Sequence, residues 1–199
     1  MTKDELVIFP NLPPLPQNLT ENKNFFTPNV VRIPSQRKTG CTKNGIEVVH
    51  ATYNRYEVSQ EIKDWVHENI ADNYNNIGYS VLEGTSCPHS DVSRDWTLIW
   101  LFETGGPDVE TVFWRQEGQP YYPKTLETKQ PTTYDNLVEL CKCRLPKGQW
   151  VLLNAQCLHS VENVKDVHRK ALQIGFLENS SVIAKLKNSA QLLDNIAIN

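Results

Sequence analysis

Three side chains in this sequence have the chemistry of metal ligands and a spacing that suits a single site. His89 and Asp91 are two positions apart in a stretch typical of a β-strand, so their side chains are predicted to point to the same side. His159 follows an apolar strand and a polar turn, and it enters another strand. Two imidazoles and one carboxylate on one face of an ion, with the other positions open, form the facial arrangement that holds mononuclear Fe(II). We therefore predict a metal site at His89, Asp91 and His159.

A basic residue completes this pattern. Arg169 lies ten positions after His159, which lies 68 positions after Asp91, and the segment Gly148-Gln-Trp-Val-Leu-Leu-Asn precedes His159. The combination resembles the His-x-Asp…His…Arg signature of the 2-oxoglutarate/Fe(II)-dependent oxygenases. The resemblance covers roughly residues 77 to 178 and identifies no individual member of the family. It implies a double-stranded β-helix (a cupin-like jelly roll) and a hydroxylating dioxygenase that uses Fe(II), O2 and 2-oxoglutarate and releases succinate and CO2.

The resemblance also implies a binding site for the cosubstrate. In the family, a basic side chain on the last core strand binds the distal carboxylate of 2-oxoglutarate, and Arg169 matches it. A guanidinium suits this task because it can donate two parallel hydrogen bonds to one carboxylate. The family adds a hydroxyl or an amide, for which strand parity leaves two candidates, Tyr79 and Gln173. Asp91 stands where halogenases of the family have Ala or Gly, so the resemblance implies hydroxylation rather than chlorination.

The substrate is predicted to contact side chains at the edges of the pocket. The candidates are Arg94, Trp96, Trp114, Tyr121 and Tyr122. For the two tryptophans, a place in the hydrophobic core is the alternative. The two tyrosines belong to a long polar loop, residues 115 to 136, and such loops often carry binding residues. We predict that this loop, with the N-terminal arm as the next candidate, forms the mouth that selects a small metabolite or a peptidyl side chain.

The cysteines create an alternative metal site. Their odd number, five, favours reduced thiols over a disulfide framework. Cys87 and Cys157 each come two residues before a predicted ligand, so simple alternation would turn both thiols toward the metal. A structural zinc site of Cys87, His89, Cys157 and His159 would follow. The usual Cys-x2-4-Cys and His-x3-5-His spacings do not occur, however, and we favour the thiols as small buried hydrophobes.

Composition argues against several other classes of function. The 199 residues are 39% hydrophobic and 22% charged, which indicates one globular domain, and no apolar run approaches the roughly 18 residues of a membrane span. The net charge of −3 and the lack of a basic tract disfavour a nucleic-acid partner without excluding it. The first residues, Met-Thr-Lys-Asp-Glu-Leu-Val, do not match a signal peptide, so we predict a cytoplasmic protein. The oligomeric state is not predicted.

Apolar periodicity predicts a mainly β domain with flanking helices. Residues 1 to 48 hold half of the prolines and are predicted to form an extended arm over the domain. An amphipathic helix is predicted from Val58 to Asn73, and a final helix over residues 180 to 199. Between 77 and 178, short runs rich in β-branched and aromatic residues predict the strands of an all-β barrel or sandwich, which agrees with the jelly roll that the resemblance implies. The predicted anchors of the arm are Phe9, Phe25, Phe26, Val30 and Ile33.

Two other functions fit parts of this pattern. A jelly roll can bind a metal or a ligand without turnover. A cupin enzyme of another class, such as an isomerase or a thiol dioxygenase, would also have this fold, but such sites usually show His-x-His or three histidines. This chain has His-x-Asp at position 89, so we favour the oxygenase.

Overall fold

The computed structural model describes residues 5–21, 40–91, 93–118, 133–165 and 167–190. Most of the 115 to 136 loop, including Tyr121 and Tyr122, lies outside these ranges, as do the arm anchors from Phe25 to Ile33. The strands within them are β1 (Val7–Ile8), β2 (Cys41–Lys43), β3 (Ile46–Val48), β4 (Thr52–Tyr56), β5 (Asn76–Glu83), β6 (Ser86–His89), β7 (Trp96–Thr104), β8 (Glu110–Gln116), β9 (Leu137–Cys143), β10 (Trp150–Asn154), β11 (Leu158–Glu162) and β12 (Arg169–Phe176). The helices are α1 (Gln17–Thr20), α2 (Gln60–Asn69) and α3 (Ser181–Asn188).

The strands from β5 to β12 form a nested set of antiparallel pairs. β5 pairs with β12, β6 with β11, β7 with β10, and β8 with β9. Further pairs, β12 with β7 and β11 with β8, join these into two sheets of order β10-β7-β12-β5 and β6-β11-β8-β9. Apart from the β8–β9 pair, which lies within the smaller sheet, successive strands alternate between two facing sheets, which is the wrapping of a jelly roll. The predicted double-stranded β-helix is confirmed.

Side chains of the larger sheet alternate between an outer and an inner face, as the period of a strand requires. On the outer face, Trp100, Leu152 and Leu172 pack in one cluster with residues of the helices. On the inner face, Ile99 and Ala171 pack with Phe113 of the smaller sheet. Ala171 and Leu172 are adjacent on β12. Residues an even number of positions from Ala171 therefore face inward, and those an even number of positions from Leu172 face outward.

Two helices cover the outer face of the larger sheet. α2 buries Ile62 and Val66 against it, which confirms the amphipathic helix predicted between Val58 and Asn73. α3 begins after Ser180, whose hydroxyl accepts a hydrogen bond from the backbone N–H of Val182. It ends at Asn188, short of the predicted residue 199, and residues 191–199 lie outside the described ranges. None of the helices in the described ranges has the length and apolar character needed to cross a membrane.

The described parts of the N-terminal arm pack as elements of the same domain. β1 pairs with β10 at the edge of the larger sheet, and Phe9 is buried in the cluster between the sheets. Cys41, at the start of the β2–β3 hairpin, packs on the outer face of the smaller sheet. β4 pairs with β5 at the other edge of the larger sheet. β4 was not among the predicted strands, and it contributes two residues to the site described next.

Candidate metal centre

The two histidines face each other across an antiparallel strand pair. His89 on β6 and His159 on β11 are direct register partners, and their ring centroids are 4.4 Å apart. On the other side of β11, His159 is paired with Phe113, whose ring centroid is 6.1 Å away. Because Phe113 belongs to the cluster between the sheets, both imidazoles lie on the inner face of the smaller sheet.

Each imidazole is oriented by a backbone carbonyl two residues before it. Nδ1 of His89 is 2.7 Å from the carbonyl oxygen of Cys87, and Nδ1 of His159 is 2.9 Å from that of Cys157. Because a carbonyl oxygen only accepts hydrogen bonds, each Nδ1 must carry the proton and donate it. In a neutral ring with the proton on Nδ1, the Nε2 atom has the lone pair with which histidine binds a metal.

Asp91 is positioned by a loop. β6 ends at His89, so the predicted strand through Asp91 is wrong. The backbone N–H of Asp91 donates a 2.9 Å hydrogen bond to the carbonyl oxygen of Ala155, in the turn that precedes β11. This bond fixes the loop beside the second histidine. Oδ1 of Asp91 lies 3.9 Å from Nε2 of His89.

A bulge in β6 changes the direction of its side chains. From Ser86 to His89, β6 advances three residues while its partner strand advances two. Pro88 lies within this interval and has no backbone N–H to give to the ladder. Bulges of this kind redirect side chains. Simple alternation had predicted that Cys87 points to the same side as His89. Because of the bulge, Cys87 packs on the outer face of the smaller sheet.

The alternative zinc site does not assemble. The Sγ atom of Cys87 is 3.6 Å from the carbonyl oxygen of Val48, and that of Cys157 is 3.6 Å from the carbonyl oxygen of Trp114. Burial raises the pKa of the Cys157 thiol to about 12, which keeps it protonated at neutral pH. A zinc ligand would have to be a thiolate. Both cysteines therefore behave as small buried hydrophobes.

The donor set fits one divalent iron. The ligand atoms of His89, Asp91 and His159 all lie within 4.8 Å of one another. Among the described residues, these three form the group of His, Cys, Asp and Glu side chains that could hold one metal ion. Two atoms bound to one ion at about 2.1 Å stand at most about 4.2 Å apart, so small side-chain rotations close the site. Two imidazoles and a carboxylate are what Fe(II) accepts while leaving positions for other ligands.

Arg169 is a buried cation that faces the same interior. Its side chain lies on the face of β12 that it shares with Ala171, and the residue is 6% exposed. Its guanidinium donates a 3.3 Å hydrogen bond to the hydroxyl of Thr111 on the opposite sheet. No carboxylate among the described residues pairs with it. Burial lowers the pKa of Arg169 to about 10, so the side chain is still charged at neutral pH.

The two predicted partners of Arg169 are elsewhere. Tyr79 is the register partner of Leu172 and packs in the cluster on the outer face of the larger sheet, so it points away from the site. Gln173 shares the inner face with Arg169, but four residues of strand place it about 13 Å further along β12. The hydroxyl beside Arg169 is that of Thr111. Both predictions assumed unbroken parity without knowing which strands pair.

The two tryptophans predicted to contact the substrate lie in the outer clusters of the two sheets. Trp96 lies in the outer cluster, where its Nε1 donates to the carboxylate of Glu178 and Lys187 Nζ lies 4.0 Å from its ring centroid. Trp114 faces outward from the smaller sheet, and its Nε1 donates a 2.9 Å hydrogen bond to the hydroxyl of Ser160. Both are core residues, because each occupies the outward position of its strand.

Arg94 contacts a predicted metal ligand directly. Its Nε donates a 2.8 Å hydrogen bond to Oδ2 of Asp91, and both side chains are 11% exposed. Its NH1 group donates a 3.3 Å hydrogen bond to Oε1 of Gln173, which also accepts one of 2.8 Å from the hydroxyl of Tyr53. Burial alone would lower the pKa of Arg94, but Asp91 and Tyr53 raise it more. Arg94 is thus a positioning residue that leaves Oδ1 of Asp91 for a metal.

Removing this contact should weaken metal binding. In Arg94→Gln, Asp91 loses the donor that fixes its rotamer, and we expect the affinity for Fe(II) or Co(II) to fall about 10- to 100-fold, the usual cost of losing a partner of a metal ligand. Anaerobic calorimetric titration measures this affinity. Arg144, an exposed arginine of the chain at 59% side-chain exposure, provides the control: Arg144→Gln should bind metal as the wild type does. Equal affinities in the two variants would contradict the role of Arg94.

Four residues near the site were not predicted from the sequence. Thr111 contacts Arg169, and Tyr53 contacts Gln173. Arg55 donates a 2.7 Å hydrogen bond to Oδ1 of Asn76. His50 accepts a 3.1 Å hydrogen bond from the backbone N–H of Cys87, and its ring centroid is 6.2 Å from that of His89. The alternation of Tyr53 and Arg55 in β4 is a strand signal, but only the pairing with β5 shows that they face the interior.

Comparison with known proteins was made at the level of sequence and of structure. No protein-family model and no curated protein matches the chain. Solved structures similar to it include a 2OG-Fe(II) oxygenase family oxidoreductase from Burkholderia pseudomallei, at 10% identity, a TM-score of 0.40 and coverage of 74% of this chain and 73% of that one. A cupin-like protein from Thermotoga maritima has 12% identity, a TM-score of 0.29 and coverage of 63% and 68%.

The hydroquinone 1,2-dioxygenase PnpCD, solved with Cd2+ and 4-hydroxybenzonitrile, is also similar, at 15% identity and a TM-score of 0.34. The alignment covers 50% of this chain and 57% of that dioxygenase chain, so this chain matches little more than half of its length. Likeness at these identities and TM-scores carries no argument about activity.

Proposed function

We propose that this protein is an Fe(II)- and 2-oxoglutarate-dependent dioxygenase that hydroxylates a small metabolite or a peptidyl side chain. The balanced reaction converts substrate C–H, O2 and 2-oxoglutarate into C–OH, succinate and CO2. One oxygen atom enters the product and the other enters succinate.

The observation that supports this best is the buried Arg169, together with the three ligands on the same interior. A cation removed from water costs free energy unless an anion pairs with it, and the described residues supply Arg169 with a hydroxyl but no carboxylate. A bound dicarboxylate would provide the missing charge. A jelly roll that only holds a metal has no need of such a residue.

Each residue then has a task that its contacts suit. His89, His159 and Asp91 would hold Fe(II), which supplies the activation of O2. Arg169 would bind the distal carboxylate with two charge-assisted hydrogen bonds, and Thr111 would hold the guanidinium in place.

The test is succinate formation from purified protein. With Fe(II), O2, 2-oxoglutarate and ascorbate we expect slow release of succinate and CO2 even without substrate, because ascorbate can supply the two electrons that reduce the second oxygen atom to water. No release is expected when Zn(II) replaces Fe(II). Mass spectrometry of the acids measures it, with calorimetric binding of 2-oxoglutarate to the Zn(II) protein as a readout independent of turnover. A protein that binds metal but not 2-oxoglutarate would favour a metal-binding jelly roll or another cupin class.

A further inference from the structure

Arg55 is a second cation of the interior that forms no ion pair with a carboxylate in the described ranges. It lies on β4 opposite Ser80 of β5, which is itself opposite Ala171, so its side chain is on the inner face of the larger sheet. Among the described residues, Arg55 donates a side-chain hydrogen bond to Asn76 and forms no ion pair. A guanidinium has five N–H donors, so most of those of Arg55 are available to a ligand.

The charges around Arg55 do not balance. Burial is the main cause that lowers its pKa, and the nearby charge of Arg94 adds to this, while Tyr53 and Asp91 oppose it. Asp91 is the one carboxylate among these neighbours, and it is already bonded to Arg94 at 2.8 Å. Once Asp91 also binds a metal, its charge is shared further. Among the described residues, Arg55 and Arg94 therefore face one carboxylate, and one positive charge is left over even before a metal binds.

Two glycines provide the space in which these arginines lie. A Cβ atom on Gly78 would come within 2.5 Å of Nε of Arg55, so the guanidinium lies directly over that glycine. A Cβ on Gly175 would come within 2.9 Å of Oδ1 of Asn76 and 3.0 Å of Cδ of Arg94. Gly175 and Asn76 are register partners, and both glycines are on the inner face. The sheet thus holds both side chains in a cradle of defined shape.

We propose that Arg55 binds a carboxylate of the substrate and holds it beside the metal, so that the substrate class is a carboxylic acid. This deepens the proposed function and rests on it. A guanidinium with free donors binds a carboxylate with two parallel hydrogen bonds. A single uncompensated charge matches a single carboxylate better than a polyanion. Arg94 is committed to Asp91 and Gln173, which leaves Arg55 as the residue that contacts the acid.

Nuclear magnetic resonance of the Arg55 side chain tests this without knowledge of the substrate. The protein is labelled with nitrogen-15 arginine and saturated with Zn(II) and 2-oxoglutarate, so that the metal and Arg169 are both occupied. Propionate is the probe, and propionamide is its neutral isostere. We expect a saturable shift of the Arg55 Nε–H signal with propionate and none with propionamide. No shift, or an equal shift with both compounds, would overturn the proposal.

Three variants complete the experiment. Arg55→Lys identifies the signal by its loss. Gly78→Ala keeps the guanidinium but displaces it, because the clash is with a flexible side chain, and we expect propionate to bind at least about 10-fold more weakly, which is about 1.4 kcal/mol. Arg144→Gln is the control and should leave the response of Arg55 unchanged. If Gly78→Ala binds propionate with wild-type affinity, the position of Arg55 over Gly78 does not matter for carboxylate binding.

The same experiment separates this proposal from the one on which it rests. If 2-oxoglutarate fails to bind the Zn(II) protein, the oxygenase proposal fails. The propionate titration is then repeated in Arg169→Met, where the buried guanidinium of Arg169 is absent and cannot bind the propionate. If 2-oxoglutarate binds and Arg55 does not respond to propionate, only the carboxylic-acid proposal fails.

Discussion

Replacing His159 with alanine is expected to abolish metal binding and all turnover. The residue supplies one of three predicted ligands, and a hydrogen bond from its Nδ1 to the carbonyl oxygen of Cys157 orients the ring. Losing a ligand should cost more than the 10- to 100-fold loss in affinity typical of its supporting partners, so we expect at least about a 100-fold loss. Calorimetric titration with Fe(II) or Co(II) under anaerobic conditions measures it.

Thermal unfolding gives a second readout of the same variant. A metal at 100 times its dissociation constant stabilises the wild type by about 2.7 kcal/mol, and this increase should vanish in His159→Ala. His67 on α2 provides the matched control, because it is exposed and distant from the ligands in the sequence. His67→Ala should show the full increase in Tm. A His159→Ala protein that binds metal with wild-type affinity would remove His159 from the site.

Replacing Arg169 with methionine is expected to abolish binding of 2-oxoglutarate while leaving the metal bound. Two charge-assisted hydrogen bonds of about 1.5 to 3 kcal/mol each are lost, so the Kd for 2-oxoglutarate should rise by roughly two to four orders of magnitude. Arg169→Lys should recover only part of this, because an ammonium cannot form the two-pronged contact. Calorimetry of the Zn(II) protein with 2-oxoglutarate is the measurement.

The same variant should make the metal-free protein more stable. Burial lowers the pKa of Arg169 from 12.5 to about 10, so the charged form costs about 3 kcal/mol in the folded protein at neutral pH, and methionine removes this cost. Denaturant unfolding measures the gain. Lys170→Met is the control: the adjacent position faces away from Arg169, and neither stability nor 2-oxoglutarate affinity should change as much. If Lys170→Met shows the loss of affinity instead, Arg169 is not the cosubstrate residue.

The sequence alone predicted the fold and named the residues that meet in the interior. The short β runs from residue 77 to 178 predicted an all-β barrel or sandwich, the resemblance implied a jelly roll, and the strands from β5 to β12 form one. Spacing singled out His89, Asp91, His159 and Arg169, and the structure places the first three within reach of one ion. These predictions succeeded because ligand chemistry restricts the types of residue, and because nested antiparallel pairing brings distant strands together in a fixed order.

The tertiary structure alone decided which way the remaining side chains face. Pro88 interrupts the alternation of β6, so Cys87 points outward although it is two residues from His89. Tyr79 and Trp96 were assigned to the pocket by parity or proximity, yet the pairing of β5, β7 and β12 puts them on the outer face. Parity relates residues within one strand, but a bulge breaks it, and it does not say which face of a sheet is covered by helices.

The partners of the site also came only from the tertiary structure. Arg94 was predicted to contact the substrate, and the structure adds a contact that the sequence did not predict, its hydrogen bond to Asp91. Tyr53 and Arg55 come from β4, outside the predicted core, and reach the interior through pairing with β5. Contacts such as that of Tyr53 with Gln173 join residues 120 positions apart. Local patterns carry no information about such pairs, since their contact exists only once the sheet has formed.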